Sequence, residues 1–408
     1  MPEESSAYRW WVLASVVTAN VLVTGAAWNY VIMVVPELLA DFELEIDAWG
    51  TLWSGIPLGV LVFSMPAGVL GDRVGVRRAL GAGLLLAGVA LLLRANATGF
   101  ASLFATMVAF GVSLSLVLAN FPKAVAGWFP PAELGLANGV SQAGVGFGLG
   151  AAALVTPLVL EPLGGWRPLT QLLGYVSIAL AALWGLTVRD APSAGNAPGE
   201  APRLLDSLLQ VLRVREVRLL ALCYLLYMGG YLGAVGYLPT YFQTAHGMSA
   251  EAAGRLMSLG PWSFIVGSLV LPTLSDRIGL RRAVYLAGML AGGLGLLAAA
   301  YVLGVPLALA IVVLGFGTGV VALLFVIPVE LADVGESLAG SAVGVETTAG
   351  FLGGSLSPLI GMSLVATAPL LGFGFWTACF VASAVLILAV SETGPRAPSS
   401  TSRAASGG

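Results

Sequence analysis

Apolar runs of about twenty residues follow one another along nearly the whole of this 408-residue chain. A run of that length, wound as a helix, spans the roughly 30 Å hydrocarbon core of a bilayer. The runs here are continuous, so the chain reads as an all-α membrane protein with twelve transmembrane helices. Six lie at roughly 10–36, 48–71, 78–95, 100–127, 134–160 and 167–187. Six more lie at roughly 218–243, 250–274, 282–303, 306–331, 339–366 and 370–391. Charged residues make up 10% of the chain, against about 25% in soluble domains, so the apolar surface has to face lipid along most of its length.

The same scarcity of charge limits the chemistry. There is one histidine, His246, and one lysine, Lys123. No zinc-binding His pair, Ser/His/Asp set or phosphate-binding glycine loop can be assembled, so the chain is not expected to be an enzyme or to need a cofactor or metal. Cys223 and Cys379 sit in apolar runs without metal-ligand spacing and read as free buried thiols. A net charge of −3 gives no reason to expect nucleic acid as a partner.

Four regions follow. Residues 1–187 form an N-terminal six-helix bundle, 188–217 a cytoplasmic linker, 218–392 a C-terminal six-helix bundle, and 393–408 a disordered cytoplasmic tail. In the linker, Asp190–Pro202 is rich in Pro, Gly and Ala and predicts a flexible tether. Leu204–Val217 sets leucines against Asp206, Gln210, Arg213 and Arg215, the pattern of an amphipathic helix at the membrane surface. Basic residues orient the whole. With both termini in the cytoplasm of a cell with an inner membrane, Arg9, Arg73, Arg77, Arg78, Arg277, Arg281 and Arg282 fall inside, and Arg94, Arg167 and Arg255 fall outside.

An internal repeat ties the bundles together. Gly68-Val-Leu-Gly-Asp72-Arg73-Val-Gly75-Val-Arg77-Arg78 follows the second span, and Pro272-Thr-Leu-Ser-Asp276-Arg277-Ile-Gly279-Leu-Arg281-Arg282 follows the eighth. The same pattern at the same place in each half predicts two pseudo-symmetric six-helix bundles. These loops resemble the signature loop of the major facilitator superfamily, with Pro272 departing from the family's first glycine. The resemblance implies a functional monomer working by alternating access, with Asp72, Arg73, Asp276 and Arg277 in gating latches. From its residues alone, the loop could equally serve only to hold positive charge inside. The second span, Ser54-Gly-Ile-Pro57 through Pro66-Ala-Gly68, looks like that of nitrate/nitrite porters, but Ser64 and Leu271 stand where that branch carries its anion-binding arginines. The fifth span, Gly139-Val-Ser-Gln142-Ala-Gly144-Val-Gly146-Phe-Gly148, is similar to that branch and to oxalate/formate and monocarboxylate carriers.

Polar groups inside the spans are the functional candidates, because each costs about 2.5–3.5 kcal/mol to insert when charged. Lys123 and Glu330 are near-equivalent positions of the two halves; the resemblance, which implies that the fourth and tenth helices approach each other, makes them a gating salt bridge, whereas the residues alone equally allow a snorkelling lysine and a solvated acid. Glu346 in the eleventh span reads as a proton-coupling carboxyl, or as a structural one. Asn20, Thr24 and Trp28 share one face of the first span at a spacing of four, and Tyr224, Tyr227 and Tyr231 mark the seventh. With Asn120 and Gln142 they read as substrate-binding walls, or as ordinary packing. The many glycines of the fifth and eleventh spans predict a sliding interface between the halves. The expected function is secondary active transport of a small organic anion, coupled to protons. The alternative is a proton-coupled exporter of apolar or drug-like compounds.

Overall fold

The computed structural model describes residues 3–189, 204–331 and 333–394. Among them there is no strand, and twelve helices are long and apolar enough to cross a membrane. They are α1 (Ala7–Met33), α2 (Ile46–Val74), α3 (Val76–Ala95), α4 (Phe100–Ala126), α5 (Ala132–Leu160), α6 (Trp166–Thr187), α7 (Arg215–Thr244), α8 (Ala250–Ile278), α9 (Arg281–Ala299), α10 (Gly304–Glu330), α11 (Leu338–Thr367) and α12 (Pro369–Ala389). The protein is therefore multi-pass. The amphipathic segment is a helix at Leu204–Arg213. It buries Val211 in the protein and leaves Leu209 and Leu212 exposed. The segments expected to be a flexible tether and, beyond Gly394, a disordered tail lie outside the described residues. Thr393 and Gly394, assigned above to that tail, are held in place: Thr393 donates to Glu330 and the Gly394 N–H to Glu392.

Lipid offers helices no hydrophobic reason to associate, so close packing has to come from small residues. In the first half, a Cβ on Gly59 of α2 would lie 2.2 Å from Val108 O of α4, and one on Gly111 2.0 Å from Ile56 O. In the second half, a Cβ on Gly267 of α8 would lie 2.1 Å from Phe316 O of α10, and one on Gly319 2.4 Å from Gly267 C. Both glycines of the second crossing lie 208 residues after their counterparts in the first. The repeat seen in the loops thus extends to the helix crossings.

Packing gathers the described residues into two compact units. One takes those within Met1–Gly199, Tyr231–Trp262 and Gly354–Phe373; the other takes those within Glu200–Gly230, Ser263–Gly353 and Gly374–Gly408. In the first unit the indoles of Trp49 and Trp53, both on α2 and buried, donate to Gly236 O and Leu232 O of α7, each at 2.8 Å. Gly50 lies against Pro358 and Met362 of α11, and Gly150 of α5 against the Trp262 indole of α8. The first unit therefore includes the parts of α7, α8 and α11 farthest from the arginine-bearing loops.

The glycines of α5 and α11, expected at a sliding interface, make close contacts within each half. A Cβ on Gly148 would lie 2.2 Å from Val21 O of α1, and one on Gly353 2.0 Å from Leu225 O of α7. These are contacts inside a half, where a small face lets α5 meet α1 and α11 meet α7.

Candidate functional site

The two copies of the signature loop turn alike. Gly75 has φ 93° and Gly279 φ 76°, a left-handed conformation open to glycine but strained for other residues. The turns set Asp72 and Asp276 at comparable places, yet their partners differ. Asp72 pairs with Lys123 of α4, which also donates to Gly68 O at 3.0 Å. The partner of Asp72 is thus a lysine from another helix rather than an arginine of its own loop. Asp276 does pair with an arginine, Arg281, which also reaches both carboxylate oxygens of Glu330 at 2.7 and 3.2 Å. Lys123 and Glu330 each have their partner within their own unit. Arg73 and Arg277 are exposed, with no ion pair among the described residues. The N-terminus of α9 is capped by Glu392, which accepts from the Arg281 N–H at 2.7 Å and the Arg282 N–H at 3.2 Å. Neither cap nor clamp was legible, since Arg281 lies 111 residues from Glu392 and 49 from Glu330.

In α1, residues Asn20–Ala26 wind as a π-helix, an irregularity concentrated at functional sites. The spacing of four read from sequence therefore no longer places Asn20, Thr24 and Trp28 in one straight row. Asn20 turns to α5, donating to Ser141 O at 3.0 Å and Ser141 Oγ at 2.8 Å, while its Oδ1 has no partner. Thr24 is buried and its hydroxyl has no partner. Trp28 is half-buried and Gln142 exposed. Asn120 is buried beside Gly71, donating to Leu116 O at 2.8 Å and Ala67 O at 3.3 Å.

The α7 aromatics gather in the second unit around α11. Tyr224 and Tyr227 stack at 5.9 Å, Tyr224 meets Phe325 edge-on at 5.4 Å, and Tyr227 meets Phe380 at 6.2 Å. Tyr231 lies one turn further along α7, half-buried, in the first unit. The Tyr224 ring covers Gly350, leaving no room for a Cβ there. One turn from Gly350, Glu346 is 0% exposed and neither carboxylate oxygen has a hydrogen-bond partner. Its position, eight residues into α11, is roughly 12 Å along the helix from Leu338. In the same unit, Ser383 Oγ donates to Cys223 O at 2.9 Å and shares a 2.8 Å hydrogen bond with Tyr285 OH, knotting α7, α9 and α12.

Arg94, read from sequence at the outer end of the third span, is 0% exposed inside the first unit. Its guanidinium reaches Tyr30 OH and Thr106 O, both at 3.4 Å, and lies 5.2 Å from the Phe110 ring centre. No carboxylate faces it among the described ion pairs, and Nε has no partner. Its place at the very end of an apolar run was the one signal available. Both cysteines are free and buried. Among the described residues no cluster of His, Cys, Asp and Glu could hold a metal ion.

Comparison with known proteins adds the following. A family profile described as Major Facilitator Superfamily matches residues 17–358. The chain is 25% identical over 239 residues to a hexuronate transporter of Bacillus subtilis (strain 168), covering 56% of this chain and 55% of that one. It is 29% identical over 238 residues to a protein of Thermus thermophilus described as a probable nitrate/nitrite antiporter, covering 54% and 51%. The chain thus spans about half the length of these curated relatives. Among solved structures, a bacterial homologue of the human lysosomal transporter Spinster, in an inward-facing and unoccupied conformation, superposes with a TM-score of 0.76. That match covers 94% of this chain and 95% of the other at 16% identity, a likeness of fold.

Proposed function

Because the chain belongs to the Major Facilitator Superfamily, we propose that it is a secondary transporter moving a small organic anion by alternating access, together with a proton. The observation that carries the reading is Glu346, wholly buried on α11 with both oxygens lacking partners. An ionised carboxylate in that setting is costly, so burial and proton uptake go together. Release of the proton requires water to reach α11, which is what alternating access supplies. The named cargoes of the two relatives, a hexuronate and nitrate or nitrite, are small anions and support the substrate class. Ser64 turns its hydroxyl back to Leu61 O, and Leu271 is buried and apolar, so neither offers the positive charge that nitrate would require. Carrying a proton with a monoanion makes the transfer electroneutral, a fitting arrangement where the α1 and α7 candidates are uncharged.

In this reading Thr24, Trp28, Gln142, Tyr224, Tyr227 and Tyr231 contact the substrate. Asn20 and Asn120 shape α1 and α4 around it through the bonds they make to Ser141 and Ala67. Asp72, Arg73 and Lys123 form one gate element and Asp276, Arg277 and Glu330 the other, on the face turned to the cytoplasm of an inner membrane that also holds both termini. The monomer is the working form. The test is uptake of small carboxylates into proteoliposomes with and without an inward proton gradient. Wild type is expected to respond to the gradient and Glu346→Gln to lose that response while still exchanging substrate. A gradient response that survives in Glu346→Gln removes the coupling role; carboxylate uptake at background in wild type removes the substrate class.

A further inference from the structure

In the second unit the arginine of the signature loop, Arg281, is held by two carboxylates, Asp276 and Glu330. Its counterpart in the first unit, Arg77, has none: it donates to Gly185 O and enters no ion pair among the described residues. No acid occupies the place on α4 that Glu330 takes on α10, where the chain reads Pro122-Lys123-Ala124. A basic residue that one half neutralises therefore stays uncompensated in the other.

Arg77 lines a partly open cavity of about 320 Å³ within the first unit. Lys123 and Arg189 line it too, with the rings of Trp128 and Trp184 and the aliphatic Val12 as walls; among the described residues no carboxylate is in the lining. The volume falls at the lower end of the range for small-molecule sites, roughly 300–1,000 Å³. Trp184 is fixed by its indole, which donates to Arg77 O at 3.0 Å, and Trp128 by the Tyr8 ring at 4.8 Å. The cavity sits where α3 begins and where α4 and α6 end, the level at which interfacial tryptophans and lipid headgroups meet.

We propose that this cavity binds a phosphate-bearing anion, either the headgroup of an anionic phospholipid or a free phosphate, through Arg77, Lys123 and Arg189. Arg77 and Arg189, which enter no ion pair among the described residues, and Lys123, which is shared with Asp72, converge on a space walled in part by aromatic and aliphatic side chains, which suits a phosphate with an ester substituent. The site also touches the gate. Lys123 is the partner of Asp72, so a phosphate that takes up its ammonium competes with Asp72 and loosens the contact between α2 and α4.

The test is binding by the purified full chain, followed by native mass spectrometry and thermal unfolding. The probes are dioleoyl phosphatidylglycerol, dioleoyl phosphatidylcholine and inorganic phosphate. Phosphatidylglycerol is expected to bind and to raise the unfolding temperature, and phosphatidylcholine to do neither. R77Q/R189Q is expected to weaken phosphatidylglycerol about 25-fold, near fivefold per cation removed. R78Q, in the same loop but outside the cavity lining, is expected to stay within about twofold of wild type. Displacement of the lipid by millimolar inorganic phosphate, with equal stabilisation, assigns the site to free phosphate. Should R77Q/R189Q fail to fold, R189Q carries the test, since the Arg189 guanidinium makes no hydrogen bond among the described residues and rests on the Tyr8 ring. Equal lipid binding by wild type and R189Q, or no binding of either phosphate probe, overturns the proposal.

Discussion

The two signature arginines make a matched pair whose loss should cost very different amounts. Arg281 has a side chain 7% exposed, bidentate to Glu330 at 26% and paired with Asp276 at 61%. Removing one partner of a fully buried pair costs about 3–5 kcal/mol, and an exposed pair contributes about 0–1. Glu330 lies nearer the buried limit and Asp276 the exposed one, so Arg281→Gln should destabilise its surroundings by roughly 2–3 kcal/mol. Arg77 offers one hydrogen bond to a carbonyl, and Arg77→Gln should cost under about 1 kcal/mol. Hydrogen exchange read by mass spectrometry resolves the two places. Local opening around Asp276–Val284 and Glu392–Gly394 should rise about 30- to 150-fold in Arg281→Gln, and opening around Asp72–Leu80 under about fivefold in Arg77→Gln. Equal increases at the two loops, or no change in Arg281→Gln, would refute the argument that the carboxylate clamp distinguishes the halves.

Three further outcomes are expected. Gly148→Val places a Cβ 2.2 Å from Val21 O, so α1 and α5 must part and folded yield should collapse, whereas Gly139→Ala, with nothing within 4 Å, should express as wild type; equal yields would sink the packing argument. Arg94→Met removes a buried charge that has no acid partner, so the thermal midpoint of the purified protein should hold or rise; a loss beyond about 2 kcal/mol would mean that the 3.4 Å bonds to Tyr30 and Thr106 matter more than their length suggests. Burial raises the carboxyl of Glu37, in the short helix Val35–Asp41 after α1, above its ordinary value of 4.5. The folded state then holds its proton more tightly than the unfolded chain, and stability falls as pH rises through and above 4.5. Glu37→Gln should flatten that slope in a pH series of thermal unfolding, and an unchanged slope would show that another group sets it.

The twelve spans were legible because the bilayer demands runs of a fixed length, and the repeat because Asp-Arg-x-Gly-x-Arg-Arg is spelled out twice. What stayed hidden depends on contacts made through space. Arg73, Arg77 and Arg78 are the cations nearest Asp72 along the chain, yet Lys123 reaches it, because α4 crosses α2 at Gly59 and Gly111. Arg94 ends an apolar run, and only the fold brings Tyr30 of α1 and Thr106 and Phe110 of α4 to it. The π-turn in α1 has no compositional mark of its own. The substrate candidates read from Asn20, Thr24 and Trp28 came from a regular helix that this turn interrupts.

The cap on α9 also bears on how the protein is made. Glu392 emerges 111 residues after the Arg281 amide it accepts from. At about 5–20 residues per second, translation leaves that helix terminus waiting on the order of 6–22 seconds for its acceptor. In that interval Arg281 must rely on Glu330, which arrives with α10, and the second half can be locked only as its last span leaves the insertion machinery. Its biogenesis is therefore completed from the C-terminal side, and a nascent chain stalled after α11 should hold the signature loop of the second half ajar.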